Sequence, residues 1–356
     1  MAKIIIIGGG FGGLSFLQKA RKSKNDFILI DKTNHHLFQP LLYQVATAVL
    51  SPADITVPLR NLFKNDKNVK TILSEVKEIN KEKKEITLDN AEVISYDKLI
   101  ISAGSSYSFF GKNEWSKFAK GLKVINDALD IREKILKAFE KAENEKDERI
   151  RKKYLNFVIV GGGPTGVELA GSIAEIAYKN MTKEFRNFSS KDANIYLLEA
   201  GDRILPSYSE NLAKKSYKYL IDLGVKVMTK ERVENIEEMK VTTNKQVIDA
   251  DNIIWAAGNE ASPLIKHLDT ETDNEGRALV NRDCSIKEDN EVYVIGDAAN
   301  FITASGESLP GIAPVAIQQG RYVAHNIKKN IEKENRKPFK YSDKGTMATI
   351  GRFKAI

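Results

Sequence analysis

Short runs of apolar, mostly β-branched residues recur along the chain, and each ends at a glycine or a carboxylate. Four of them are Lys3–Ile7, Phe27–Ile30, Phe157–Val160 and Ile195–Leu198. A continuous apolar run of this length is typical of a parallel strand that is buried on both faces. A helical pattern follows the first and the third run, so strands and helices are predicted to alternate in an α/β fold.

Two copies of one glycine motif stand directly after the first and the third run. Gly8–Gly13 reads G-G-G-F-G-G, and Gly161–Gly166 reads G-G-G-P-T-G, so both fit the pattern G-x-G-x-x-G. In this pattern the first glycine allows a tight turn, the second lets the backbone approach a pyrophosphate, and the third lets helix pack on strand. The helix N-terminus then faces the negative charge. The sequence therefore predicts two Rossmann-like domains and two dinucleotides, most simply a flavin and a nicotinamide that meet face to face. The candidate contacts are Gly8, Gly10, Phe11, Gly12 and Gly13 in the first motif, and Gly161, Gly163, Pro164, Thr165 and Gly166 in the second.

A carboxylate ends the second strand of each unit. Asp31 follows Phe27–Ile30, and Glu199 follows Ile195–Leu198 at a distance from its motif that exceeds the usual ~20 residues. Such a carboxylate commonly accepts hydrogen bonds from ribose hydroxyls and repels a 2′-phosphate. We therefore expect both to bind ribose and expect NADH to be preferred over NADPH, although Asp31 could also be an ordinary strand-end aspartate.

Three further strands are predicted to end in small residues where backbone can approach a ligand. Lys98–Ile101 leads into Ala103 and Gly104, and Ile253–Trp255 leads into Ala257 and Gly258. The strand that starts at Val292 delivers Gly296 and Asp297, which suit the polyol or phosphate of a ligand. Because first-domain segments resume here, we predict that the second domain is inserted in the first.

Residues Asp127–Lys153 are predicted to form one long helix that bridges the domains. Its apolar residues recur at nearly helical spacing, and its other face is almost entirely charged. A solvated helix is the favoured interpretation.

Composition narrows the possible partners. Hydrophobic residues make up 42% of the 356 residues, and the formal net charge is +7. The lysines are spread along the chain and mixed with 48 acids, which argues against a nucleic-acid-binding stripe. A soluble, lysine-rich surface is the favoured interpretation, and attraction to an anionic membrane face is the alternative.

The chain contains one cysteine, Cys284, and four histidines without metal-ligand spacing. We therefore expect no disulfide framework, no metal site and no pair of redox-active cysteines. No apolar run approaches the ~18–20 residues of a membrane-spanning helix, and Met1 leads straight into the first strand, so we expect no signal peptide.

The sequence resembles the type II NADH:quinone oxidoreductases, which belong to the flavoproteins with two dinucleotide-binding domains. Essentially the whole chain takes part in the resemblance. Its most specific segments are Ala313–Gly320, which contains Gln318 and Gln319, and Lys344–Arg352, which contains Ala-Thr-Ile-Gly-Arg; the others are His36–Thr47, Gly161–Glu168 and Trp255–Gly258.

The resemblance implies FAD in residues 1–115 and 280–330 and NADH in residues 156–279, with a connecting helical segment at 116–155. By matching position, the FAD contacts are the first glycine motif, Asp31, Lys32, Val76, Ala103, Gly104, Gly296, Asp297, Ala313 and Ala316. The NADH contacts are the second motif, Glu168, Glu199, Ala257 and Gly258.

The implied reaction passes a hydride from NADH to flavin and then two electrons to a membrane quinone, without proton pumping. Gln318 and Gln319 are the candidates for the place where quinone meets flavin, and Glu168 is the candidate for a proton relay or a nicotinamide contact. From the residues alone, the two glutamines could be local hydrogen bonders, and Glu168 could simply stabilise the helix dipole. An NADH reductase of a small redox protein and a redox-switch flavoprotein of the apoptosis-inducing type are the alternative functions.

Family members usually continue into a C-terminal region that docks on the membrane, whereas this sequence ends at Ile356. We therefore expect residues 331–356 to be the incomplete start of that region. We expect a largely soluble form that binds the cytoplasmic face of the cell membrane peripherally and weakly, and a homodimer is an open alternative to a monomer.

Overall fold

The computed structural model describes all 356 residues, and these form two compact units. The first unit comprises Met1–Leu37, Thr56–Ser106 and Asn259–Gly345. The second unit comprises Phe38–Ile55, Tyr107–Gly258 and Thr346–Ile356.

The helices are α1 (Phe11–Ala20), α2 (Leu42–Ala46), α3 (Leu59–Phe63), α4 (Ile125–Asn144), α5 (Glu148–Leu155), α6 (Pro164–Glu175), α7 (Glu210–Asp222) and α8 (Ala313–Lys328). The strands are β1 (Lys3–Ile7), β2 (Asp26–Asp31), β3 (His35–Leu37), β4 (Thr56–Pro58), β5 (Val69–Leu73), β6 (Val76–Asn80), β7 (Glu85–Leu88), β8 (Val93–Ser95), β9 (Lys98–Ile101), β10 (Ser105–Tyr107), β11 (Ala119–Gly121), β12 (Asn156–Val160), β13 (Asn194–Leu198), β14 (Lys226–Met228), β15 (Val233–Glu237), β16 (Lys240–Thr243), β17 (Val247–Asp249), β18 (Asn252–Trp255), β19 (Asn259–Ala261), β20 (Ala278–Leu279), β21 (Val292–Val294), β22 (Ala299–Asn300), β23 (Thr349–Ile350) and β24 (Lys354–Ala355).

The first unit is built on a five-stranded parallel sheet in the order β21-β9-β1-β2-β5. The apolar residues of its central strand, Ile4–Ile7, are buried because both faces of the sheet are covered, as their continuous apolar run predicts. On one face α1 packs against α8 so closely that a Cβ added to Gly320 would lie 2.3 Å from the backbone oxygen of Gly12. This packing places the middle of α8 beside Gly12 of the first glycine motif.

The second unit contains a parallel sheet in the order β11-β18-β12-β13-β14 and a three-stranded antiparallel sheet, β15-β16-β17. The strands β12 and β18 lie side by side at its centre and are almost completely buried. The predicted α/β fold with two Rossmann-like parallel sheets is therefore confirmed. The chain returns to the first unit at Asn259, after the second sheet is complete.

The prediction of one helix over Asp127–Lys153 is wrong, because the structure contains two helices there. The backbone leaves the helical conformation at Glu145, where ψ is 128°. Asp147 then caps a new helix, α5, because its Oδ1 accepts a hydrogen bond of 2.8 Å from the backbone N–H of Arg149.

The compact units have other boundaries than the predicted domains. Residues 38–55 belong to the second unit because α2 packs against α4 and α6. Residues 116–155 are part of that unit because β11 forms the edge of its sheet. Residues 259–279 belong to the first unit, where Leu264, Ile265 and Leu268 lie in its apolar core.

None of the helices combines the length and the apolar character that crossing a bilayer requires.

Candidate active site

The candidate groups of the first unit lie at the carboxyl ends of four adjacent parallel strands. β1 leads into Gly8, β2 ends at Asp31, β9 leads into Ser102, and β21 ends shortly before Gly296. The strand order β21-β9-β1-β2 brings these four ends to one edge of the sheet. Parallel α/β sheets bind their ligands at this edge.

The first glycine motif forms a turn that only glycine can make. Gly8 has a φ of +100°, and a Cβ added to Gly13 would lie 2.0 Å from the backbone oxygen of Gly8. Gly10 is different, because its φ is −70° and an added Cβ would meet nothing within 4 Å. No side chain caps the N-terminus of α1, which begins at Phe11. The turn thus offers open space beside uncapped N–H groups, as a bound diphosphate requires.

Asp31 holds this turn from the end of β2. Its Oδ2 accepts a hydrogen bond of 2.5 Å from the N–H of Gly9, and its Oδ1 accepts bonds from the N–H and hydroxyl of Thr33. Its contact with a ribose stays a prediction. Of the other two candidates nearby, Lys32 is exposed, and the side chain of Val76 lies in the apolar core of the first unit.

Ser102 and its neighbours form a second wall of this edge. The Ser102 hydroxyl donates to the backbone oxygen of Gly8 over 2.8 Å. Gly104, next to Ala103, has a φ of +68° and open space on its Cβ side. The hydroxyl of Ser105 donates to Oδ2 of Asp297 over 3.1 Å, so the segment that follows β9 is joined to the turn that follows β21.

Gln319 stabilises the turn that carries Asp297. Its side chain is 1% exposed, and its Oε1 accepts a hydrogen bond of 2.7 Å from the N–H of Gly296. Gly296 has a φ of +70°, and an added Cβ would lie 3.2 Å from that of Ala316. Ala313 begins α8, so the start of this helix lies against the Gly296–Asp297 turn.

Gln318 points to another part of the first unit. Its Nε2 donates to the backbone oxygen of Ser342, and its Oε1 accepts from the Ser342 N–H, both over 2.9 Å. Both glutamines lie on α8, as predicted, but in its second turn instead of at its start, and each amide also holds a backbone segment. Their contact with quinone stays a prediction.

The second glycine motif repeats the plan of the first. Gly161 has a φ of +109°, and a Cβ added to Gly166 would lie 1.9 Å from the backbone oxygen of Gly161. Gly163 has a φ of −73°, and an added Cβ would meet nothing within 4 Å. Pro164 begins α6, where its missing N–H costs nothing, and Thr165 follows it.

Glu199 occupies the position that Asp31 has in the first unit. Its Oε2 accepts a hydrogen bond of 2.8 Å from the N–H of Gly162, and its Oε1 accepts one of 2.6 Å from Gly201. The end of β18 lies against the same turn, because a Cβ added to Gly161 would lie 2.8 Å from the backbone nitrogen of Ala257. Gly258 follows with a φ of +71°.

Glu168 lies on α6, two residues after the motif, and is half-buried. Its Oε1 accepts a long hydrogen bond of 3.4 Å from the N–H of Thr349. Burial raises the pKa of this carboxyl from its ordinary value of 4.5 to about 7, against the smaller lowering effect of that hydrogen bond. Glu168 can therefore both hold and release a proton near neutral pH.

The sequence matches known proteins over nearly its whole length. The pattern of the family described as "Pyridine nucleotide-disulphide oxidoreductase" matches residues 2–320. The chain is 39% identical to "Type II NADH:quinone oxidoreductase NdhA" of Mycobacterium tuberculosis over 371 residues, which cover 99% of this chain and 78% of that protein. It is also 39% identical to "Type II NADH:quinone oxidoreductase Ndh" of the same organism, with 99% and 79% covered.

The chain belongs to the type II NADH:quinone oxidoreductase family.

A solved structure confirms the fold. The structure described as NDH2 from Plasmodium falciparum in complex with NADH superposes with a TM-score of 0.91 at 23% identity, and the match covers 99% of this chain and 89% of that one. The description of the broader family mentions a disulphide, whereas the one cysteine of this chain, Cys284, is free and buried.

Sequence reasoning missed a hydroxyl chain beside Glu168. The hydroxyl of Tyr43 lies 2.6 Å from Oγ1 of Thr349 and accepts a hydrogen bond of 2.9 Å from Nε2 of Gln44. Tyr43 and Thr349 both stand in segments that carry the resemblance to the family, but nothing in the sequence pairs residues so far apart. His36 and Ser102, which contact the first glycine motif, were missed for the same reason.

Proposed function

We propose that the chain oxidises NADH with FAD as its resident cofactor and reduces a membrane quinone, without pumping protons. The observation that supports this function is the pair of glycine turns. Each turn has open space at one glycine, Gly10 or Gly163, and the N–H of the preceding glycine donates to a carboxylate. Membership of the family supports the choice of donor and acceptor. When bound, FAD accepts a hydride from NADH and delivers two electrons to the quinone.

The residues of the first unit fit FAD, and those of the second fit NADH. Gly10 and the uncapped start of α1 receive the flavin diphosphate, while Asp31 and Asp297 accept from hydroxyl groups of the cofactor. Gly163 and the start of α6 receive the diphosphate of NADH in the same way, and Glu199 accepts from its ribose.

Glu168 holds the proton that quinone reduction consumes. A carboxyl with a pKa of about 7 is protonated in a large fraction of molecules at neutral pH and is readily recharged from water. Partial burial of Glu168 disfavours its charged form and so keeps the carboxyl protonated at neutral pH. Gln318 is partly exposed, and the second N–H of its amide donates to a carbonyl oxygen of the quinone. Gln319 is buried and holds the turn at Gly296.

An anaerobic titration tests the function directly. NADH is added to the purified protein until the flavin absorbance is bleached, and a water-soluble quinone is then added. We expect one NADH to bleach one flavin and the quinone to restore the absorbance. A flavin that NADH leaves oxidised, or that stays reduced when quinone is present, would contradict the proposed reaction.

Replacing Glu199 with glutamine weakens the preference for NADH. The amide keeps an acceptor for ribose but loses the negative charge that repels a 2′-phosphate, so the ratio of kcat/KM for NADH to that for NADPH falls by about tenfold. Asp202, an exposed acid three residues later, is the control, and Asp202→Asn leaves the ratio unchanged. Equal use of both donors by the unaltered protein would remove the basis for this assignment.

Replacing Gln318 with alanine slows the reoxidation of the flavin by quinone and leaves its reduction by NADH nearly unchanged. The variant loses the amide that donates to the quinone and both bonds to the Ser342 backbone. Rapid-mixing kinetics measure the two half-reactions separately. Ser342→Ala is the control, because the Gln318 amide forms its hydrogen bonds with the main chain of Ser342, which the substitution keeps. A slower reduction by NADH would place Gln318 in the other half-reaction.

We also propose that the protein binds the cytoplasmic face of the cell membrane peripherally. Met347 and Phe353 are 71% and 84% exposed, and Arg352 and Lys354 lie beside Phe353 in the chain. An apolar anchor next to basic residues is the combination that anionic bilayers bind. Co-sedimentation with anionic vesicles at low salt is expected to fall for Phe353→Ser and Met347→Ser, and Val93→Ser, at another exposed apolar position, is the control. Unchanged binding of the first two variants would assign the contact to another surface.

A homodimer is proposed as well, to be tested by sedimentation equilibrium.

A further inference from the structure

A buried histidine contacts the first glycine turn. His36 is 9% exposed and lies in β3, and its Nδ1 is 2.9 Å from the backbone oxygen of Gly9. A carbonyl oxygen can only accept, so Nδ1 carries the proton and donates it. The ring of Phe11 meets the imidazole edge to face, with 5.0 Å between ring centroids and an angle of 89°, which helps to hold the ring in this orientation.

The two glycine turns use the same contacts on the same peptide groups. In the first turn, the N–H of Gly9 donates to Asp31 and its carbonyl accepts from His36. In the second turn, the N–H of Gly162 donates to Glu199 over 2.8 Å and its carbonyl accepts from the backbone N–H of Leu205 over 2.7 Å. The first turn therefore depends on a side chain for a bond that the backbone supplies in the second.

The bond from His36 fixes the peptide that enters the cradle. In a trans peptide the carbonyl of Gly9 and the N–H of Gly10 point in opposite directions. Because His36 and Asp31 hold Gly9 at both ends, the N–H of Gly10 is set in place among the uncapped N–H groups at the start of α1. Those groups are the ones that a diphosphate binds.

We propose that His36 is the positioning residue of the flavin diphosphate cradle, acting through the Gly9–Gly10 peptide. The inference rests on the proposed binding of FAD in the first unit. The hydrogen bond to the Gly9 carbonyl uses only the Nδ1–H group of His36. A residue of similar shape that keeps a donor at this position should therefore replace histidine, and one that lacks the donor should not.

Three substitutions of His36 separate the donor from the packing. His36→Asn places an amide N–H close to the position of Nδ1, His36→Leu has nearly the same shape without a donor, and His36→Gln carries its donor one atom farther out. The dissociation constant of FAD is measured by diluting the holoprotein and following the fluorescence of the released flavin. We expect it to rise about tenfold in His36→Leu, to stay within about threefold of the original value in His36→Asn, and to lie between them in His36→Gln.

His35 provides the matched control. It is the same residue type on the opposite face of β3, and its Nδ1 contacts Asn34 instead of the turn. His35→Leu should leave FAD release unchanged, and the dissociation constant of NADH, measured in each variant, should not move. If His36→Leu and His36→Asn lose FAD equally, packing alone explains the residue and the proposal is wrong. If His36→Leu retains FAD as tightly as the original protein does, the bond has no role. Failure of the unaltered protein to bind FAD would instead contradict the proposed function.

Discussion

Alanine in place of Gly163 lowers the affinity for NADH by at least about tenfold and leaves the flavin and the folded state intact. Gly163 has an ordinary φ of −73°, and an added Cβ meets nothing within 4 Å, so the protein alone accepts the methyl group without strain. The methyl group instead occupies space that the diphosphate of NADH needs for its approach to the backbone. NADH affinity, flavin content and the unfolding temperature are measured on the same preparation.

Alanine in place of Gly10 is the matched variant in the first unit. It shares the ordinary φ and the open surroundings of Gly163, so it is expected to release flavin and to leave NADH binding and stability unchanged. Gly13→Ala and Gly166→Ala provide the contrast. Their Cβ atoms would lie about 2 Å from backbone oxygens, so these variants are expected to lose several kcal/mol of stability. A loss of stability in Gly163→Ala, or equal loss of both ligands in either open-site variant, would contradict the assignment of one nucleotide to each turn.

Replacing Glu168 with glutamine lowers turnover with quinone by about a hundredfold and removes a pH dependence of stability. The amide cannot release or accept the proton that reduction of quinone consumes, and proton transfer by a positioned side chain typically contributes 10²–10⁴-fold. Reduction of the flavin by NADH, followed by rapid mixing, should change much less. Glu175→Gln on the same helix is the control for a general effect of charge.

The stability effect has a defined sign. The carboxyl of Glu168 has a pKa of about 7 in the folded protein and an ordinary value of 4.5, so between these pH values the folded state binds more protons than the unfolded state. The free energy of unfolding therefore falls as pH rises from about 4.5 to about 7 and then levels off with respect to this group. One pKa unit corresponds to about 1.4 kcal/mol, so the loss is at most about 3.5 kcal/mol, and partial exposure reduces it.

Raising the pH from 4.5 to 8 should therefore destabilise the original protein more than Glu168→Gln. The difference in unfolding free energy between the two proteins should shift in favour of Glu168→Gln. Thermal unfolding at the two pH values checks this. Parallel pH profiles of the two proteins would show that Glu168 titrates at its ordinary pKa and would remove the argument for a proton donor.

The two nucleotide turns could be predicted from the sequence because each is a local motif. The strand, the turn and the helix of such a motif are consecutive, and the carboxylate that follows stands at the end of the next strand. The break between α4 and α5 was missed because Asp147, a good N-cap, lies inside a charged stretch that also fits a continuous helical pattern.

The parts of the site that could not be predicted depend on contacts between distant segments. The sequence predicts Gln319 as a quinone contact, and it does not indicate that Oε1 of Gln319 also accepts a hydrogen bond from the N–H of Gly296. That bond exists because α8 packs on the turn at Gly296. Tyr43 and Thr349 are 306 residues apart, and no periodicity or spacing rule connects them. The raised pKa of Glu168 follows from its burial, and burial depends on tertiary packing that the sequence around Glu168 does not indicate.

The assembly of the first sheet from three chain segments has a consequence for biosynthesis. On the ribosome, β1, β2, β5 and β9 are made early, but β21 and the helix carrying Gln319 are made only after the whole sheet of the second unit. Until then β9 has a free edge, and the turn at Gly296 lacks the amide that holds it. We therefore expect the nascent chain to bind flavin only after β21 and α8 have been synthesised. Until then, the unpaired edge of β9 is where aggregation or chaperone binding is expected.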